Sequence, residues 1–139
     1  MALDDRLEIG SIIFEKVFDT KPPKDKYYIV TGFTADTTIL CTVYINTSIN
    51  INLFPTQRLK NLHVPISAVD NPFLKYDSFV DCSNLHQKAT NMVMSVINNG
   101  TGRYGYVSNV SAATLTEIMG TIKNAHTIPP ITKKKFGFI

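Results

Sequence analysis

Apolar and polar residues alternate through the first third of the chain, and a helical period replaces the alternation later on. Behind Gly10, the run Ser-Ile-Ile-Phe-Glu-Lys-Val-Phe puts Ile12, Phe14 and Lys16 on one side and Ile13 on the other, which predicts a first strand. Residues 19–26 hold two prolines among mixed charges and read as a stiffened loop. The β-branched and aromatic residues 27–33 and 37–45 predict two more strands, joined by a turn at Ala35 and Asp36 into an antiparallel meander. Residues 46–57 alternate at Ile49, Ile51 and Leu53, but Pro55 limits them. Residues 59–67 predict an edge strand, because Pro65 cannot donate to a ladder. Residues 73–82 alternate as a further strand behind the Asn71-Pro72 turn.

The period changes in residues 86–100. There Ala89, Val93, Val96 and Ile97 fall at i, i+4, i+7 and i+8, one face of a helix that Asn98, Asn99 and Gly100 stop. Residues 103–107 predict a short strand. Ser108 is placed to cap a second helix, with Leu115, Ile118, Met119 and Ile122 on one face and an end near Asn124. Strands first and helices later predict an α+β, mainly β, single domain over residues 1–139: a small antiparallel barrel with two flanking helices. Closure would leave no exposed sheet edge. Residues 125–139 form a C-terminal tail whose Phe136, Phe138 and Ile139 are apolar enough to dock on the body.

Composition narrows the class. A hydrophobic content of 44% supports a packed core and excludes a disordered chain. No run reaches the ~18 apolar residues of a membrane span. The acidic opening Met-Ala-Leu-Asp-Asp lacks the basic and apolar regions of a signal peptide, so a cytoplasmic protein with no membrane association is expected. Cys41 and Cys82 are too few for a disulfide scaffold and read as buried, reduced thiols. His63, His86 and His126 have no metal-ligand spacing, so no metal is expected and no other cofactor is implied. The net charge of +3 is uneven. Lys133, Lys134 and Lys135 cluster late, while Lys21, Lys24 and Lys26 share one early segment, and such groups permit contact with phosphates.

Residues 41–50 change character at Asn46. Cys41, Val43, Tyr44 and Ile45 suit a strand; Asn46, Thr47 and Ser48 are polar and uncharged. These three either turn the chain through bonds to their own backbone or line a phosphate-sized groove beside Lys26. The six tyrosines, at 27, 28, 44, 76, 104 and 106, offer faces for base stacking or belong to core and rim.

The order Gly10-Ser11-Ile12-Ile13, a charged proline-containing loop, then Lys26-Tyr27-Tyr28-Ile29-Val30 resembles the opening of MazF/PemK-type toxins. Ile45-Asn46-Thr47-Ser48 stands where that family's third strand ends in a Pro-Ile-Thr-Ser type motif. Tyr76-Asp77-Ser78-Phe79-Val80 and Gly105-Tyr106-Val107-Ser108 resemble its later strands. The resemblance implies an SH3-like barrel, commonly a homodimer, that cleaves single-stranded RNA without a metal and is held by an antitoxin protein. It implies catalytic roles for Lys26, Thr47 and Ser48 and RNA contacts from Lys21, Lys24, Asn46 and Asp77. Lys26 replaces the family's arginine, keeping the charge without the bidentate fork, and Asn46 replaces the motif's proline.

Cleavage of this kind needs a base for the 2′-hydroxyl, an acid for the leaving oxygen and donors for the charge on phosphorus. Lys26 supplies charge, and Thr47 and Ser48 suit positioning better than proton abstraction. His63 and Asp77 are the formal candidates for the base. Asp77 and Asp81, four apart on a strand, read either as an acid–base pair or as local structural caps. Beside the ribonuclease stand two alternatives: a non-catalytic barrel that binds nucleic acid or a protein partner, and an interaction module that uses its helical face.

Overall fold

A computed structural model describes residues 7–17, 24–98 and 104–139. Six strands form one sheet: β1 (Ser11–Val17), β2 (Lys24–Phe33), β3 (Ile39–Asn46), β4 (His63–Ile66), β5 (Ser78–Ala89) and β6 (Tyr104–Asn109). Their order is β4-β5-β3-β2-β1-β6, and every neighbouring pair is antiparallel. Four helices accompany them: α1 (Gln57–Lys60), α2 (Thr90–Asn98), α3 (Ala112–Asn124) and α4 (Pro130–Lys135).

Alternation sends side chains to both faces of the sheet, and both are covered. On one face Ile12, Ile29, Val43, Val64 and Val80 pack with Ile118 and Ile122 of α3 and with Phe136 and Phe138 behind α4. On the other, Ile13, Tyr28, Val30 and Leu40 pack with Val93 of α2 and with Leu7. Central strands buried on both sides explain why residues 27–33 and 39–45 read as nearly unbroken apolar runs.

The expected α+β class and β1–β2–β3 meander are borne out, and β4 with Pro65 is an outer strand as expected. Closure differs. Among the described residues no bridge joins β4 to β6, so the sheet stays open. Helix α3 leaves β6 and packs against β4 and β5, setting Ile118 and Ile122 beside Leu62 and Val64. The helix buries what a further ladder would have buried.

Three local expectations are corrected. Ser108 lies inside β6, and the cap of α3 is Ser111, whose Oγ accepts from the Thr114 N–H at 3.3 Å. Residues 73–77 are loop. β5 starts at Ser78 and runs on to Ala89, so residues 86–89 are strand and Ala89 is not part of α2. The Asn99-Gly100 stop and the prolines at 22 and 23 lie outside the described residues.

The tail docks through Phe136 and Phe138, whereas Ile139 stays 71% exposed. Gly32 admits it: a Cβ there would lie 3.2 Å from the Phe136 carbonyl oxygen and 3.1 Å from Cys41 Sγ. Phe136→Ala is expected to cost about 3 kcal/mol or more, read as a lower urea midpoint with an unchanged slope.

Cys41 and Cys82 are buried free thiols. Burial pushes Cys41 up to about 11 against an opposing bond from Thr31, and pushes Cys82 up to about 12 with help from the Asp81 charge. Native thiols therefore stay protonated where unfolded ones, near 9.0, ionise. The unfolded chain binds fewer protons above that pH, so this contribution to stability is full below about pH 9 and is lost towards about pH 11–12. A thiol reagent at mildly alkaline pH is expected to label neither cysteine in the native protein and both in denaturant.

Candidate active site

Tyr44 is the centre of a polar cluster on the α2 side of the sheet, at a corner where the side chains are only half-buried. Register builds it. Tyr28 of β2 stands opposite Tyr44 of β3, and Lys26, two residues earlier on β2, shares their face. On β5, His86 pairs with Thr42 and Lys88 with Leu40, which brings both to the same side. The Thr42 hydroxyl donates to the His86 carbonyl at 3.3 Å and pins that register.

Four side chains converge. The Lys26 ammonium lies 4.8 Å from the Tyr44 ring centroid. Lys88 Nζ donates to the Tyr44 hydroxyl at 3.4 Å and lies 5.1 Å from the Tyr28 ring. The His86 imidazole packs on Tyr44 with centroids 4.3 Å apart and planes at 53°. Cations over an aromatic face are attracted by about 0.5–1 kcal/mol each when partly exposed.

Asp81 borders the cluster, paired in register with both Tyr44 and His63. Its Oδ1 accepts from the Ser83 N–H at 2.9 Å and the Ser83 hydroxyl at 2.6 Å. His63 Nε2 lies 3.6 Å from the same oxygen, too long for a strong hydrogen bond and ionic only when the ring is protonated. The His63 ring packs edge-on against Phe54 at 4.3 Å.

Burial pushes the His86 imidazole below its ordinary value. Asp81 opposes that shift, while the charges of Lys88 and Lys26 reinforce it. The net direction leaves a neutral ring at physiological pH, an acceptor for a proton next to two ammonium groups.

The residues singled out in the sequence are only partly gathered here. Lys26 is in the cluster. Asn46 ends β3, half-buried and paired with Phe79. Thr47 and Ser48 follow in an exposed bend, and their hydroxyls have no hydrogen-bond partner among the described residues. Lys21 lies outside the described residues, as does the side chain of Lys24, whose backbone opens β2. Asp77 is an exposed loop residue whose carboxylate accepts from the Ala68 N–H at 2.9 Å; it precedes β5 and shares no strand with Asp81. His63 is buried, its side chain 2% exposed.

His86, Lys88 and Tyr44 are what the sequence did not single out as a site. The helical period read over residues 86–100 puts His86 and Lys88 in a helical stretch, where they would not share a strand face with Tyr44. A cleft of 560 Å³ lies elsewhere, between β4 and α3, bordered by Arg58, Asn61, Glu117 and His126. It holds none of the four converging side chains, and the cluster has the stronger claim because its charges meet at one point.

No protein-family model matches the sequence, and no curated protein matches it. Among solved structures, a chain from the crystal structure of the MazE–MazF complex of Deinococcus radiodurans matches with a TM-score of 0.54 at 9% identity. The match covers 89% of this chain and 99% of that one. The fold is MazF-like. At that identity the likeness transfers the architecture and no individual residue.

Lys26→Met is expected to raise the His86 pKa and Asp81→Asn to lower it, each read from the imidazole NMR titration. Equal titration curves in all three proteins would show that these groups do not face the ring.

Proposed function

We propose that the protein is a toxin-like endoribonuclease that cleaves single-stranded RNA without a metal ion, by attack of a 2′-hydroxyl on the neighbouring phosphate. The observation that carries this reading is the convergence of two lysines, from β2 and β5, on the Tyr44 ring within a MazF-like fold. Single-stranded nucleic acid is bound by this combination: cations track the phosphates while aromatic faces receive unstacked bases.

In this reading Lys26 holds the place of the catalytic cation. The exposed hydroxyls of Thr47 and Ser48, one and two residues beyond the end of β3, are available to phosphate oxygens. Lys21, Lys24, Asn46 and Asp77 are the further RNA contacts of this reading; Lys24 opens β2, Asn46 ends β3 and Asp77 lies in the β4–β5 connection just before β5. A homodimer held by an antitoxin protein, in the cytoplasm, completes the proposal. The resemblance in the sequence and the MazE–MazF complex of the structural neighbour both favour such a partner.

Purified protein in EDTA is expected to cut a long single-stranded RNA into fragments ending in 2′,3′-cyclic phosphate. Lys26→Ala should slow cleavage by about a hundredfold, and Thr47→Ala by less. RNA that stays intact sinks the reading; a salt-dependent mobility shift without cleavage would point instead to a non-catalytic nucleic-acid-binding module.

A further inference from the structure

We propose that His86 is the general base and Tyr44 the general acid of this cleavage step, with Lys88 and Lys26 flanking the phosphate; the inference rests on the ribonuclease reading and assigns the proton transfers that reading leaves open. The sequence candidates do not supply them. Hydroxyls such as Thr47 and Ser48 are poor bases, Asp77 is bound to the Ala68 amide, and the His63 side chain is buried between Phe54 and Asp81. His86 is half-exposed, on the face that carries Lys26, and in ring contact with Tyr44 at 4.3 Å. One phosphodiester laid across that contact reaches both rings.

The step balances as follows. The neutral His86 ring accepts the 2′-hydroxyl proton as that oxygen forms a bond to phosphorus. The P–O5′ bond breaks, and its electron pair leaves on the 5′ oxygen. That oxygen takes the proton of the Tyr44 hydroxyl. Lys88, whose ammonium already donates to the Tyr44 oxygen at 3.4 Å, returns a proton to it. Solvent then recharges Lys88 and discharges His86. The products are a 2′,3′-cyclic phosphate and a free 5′-hydroxyl, and no oxidant or metal enters the balance.

The surroundings of His86 favour the neutral form that a base requires. From its own strand Asp81 and Lys88 face it, from β2 Lys26, and from β3 Tyr44 and Thr42. The β4 residue His63 meets this group through Asp81. Burial comes first in holding the ring unprotonated, and the lysines act in the same direction.

The test is single-turnover cleavage of one long single-stranded RNA by the full chain in EDTA, from about pH 5 to about pH 9, with RNA binding measured in parallel. The acidic limb of the rate is expected below the ordinary histidine value of about 6.5. It should move up in Lys88→Gln and down in Asp81→Asn. His86→Ala and the more conservative His86→Gln should each lose about a hundredfold or more in rate while keeping their affinity for RNA. Tyr44→Phe should be slow on ordinary RNA and restored on RNA with a bridging 5′-sulfur at the mapped cleavage point, a leaving group that needs no proton; the His86 variants should not be restored. Wild-type cleavage with undiminished rates in the His86 variants, or a limb that neither neighbouring substitution moves, overturns this assignment and leaves the ribonuclease reading standing. RNA left whole by the wild-type protein overturns the ribonuclease reading itself.

Discussion

Three surplus residues in β5 decide which side chains meet over Tyr44. Thr42 pairs with His86, and two residues on Tyr44 pairs with Asp81, so β3 advances by two while β5 advances by five. In an unbroken ladder Asn84 would stand opposite Tyr44. Because the surplus is odd, the alternation inverts phase, and Asp81 and His86 come to one face although their positions differ by an odd number, five. The extra segment is held in place. Cys82 and Leu85 are buried in the core on the α3 side, and the Ser83 carbonyl accepts from the Thr127 hydroxyl. Burial of a leucine-sized side chain contributes about 2 kcal/mol, enough to offset the ladder bonds that an irregularity of this kind forgoes.

The cluster that results is electrostatically one-sided. Lys26 and Lys88 both approach Tyr44, and the Asp81 carboxylate that borders them is shared among Ser83 and His63, while Glu15 of β1 stands opposite Lys26 in register. The aromatic faces of Tyr28 and Tyr44 moderate the repulsion between the ammonium groups, and water at this half-exposed corner screens the rest. An arriving phosphate would relieve that repulsion. Screening also means that attraction of a nucleic acid to this corner falls as salt rises.

The architecture was legible where a single period governed a segment. The meander of β1, β2 and β3, the outer position of the proline-bearing β4 and the apolar face of α3 all follow from spacing. Closure was not legible, because whether β4 meets β6 or α3 fills the gap depends on packing volumes rather than on either strand's pattern. Of the candidate site, Lys26 was legible through the family resemblance, as the charge that enters the second strand. His86 and Lys88 were not, since the helical period of residues 89–97 overlaps the end of β5 at Ala89, and the phase inversion at residues 82–85 hides the alternation. Asp81 was visible as a carboxylate, and its partners were not, because His63 comes from another strand and His86 from beyond the irregularity. The Thr47 and Ser48 bend stands where the sequence put it, with the chemistry concentrated one strand-face away.

Pro65 carries a consequence for how this chain behaves in a crowded solution. The Leu62 carbonyl accepts from the Cys82 N–H, so along β4 the residues that bond to β5 are the even ones, and the backbone groups of His63 and Pro65 point outward. Of the two outward positions, one lacks a donor altogether. A second strand laid along this margin would find a single N–H where a full ladder needs two. The open sheet therefore has one margin that resists stacking of copies edge to edge.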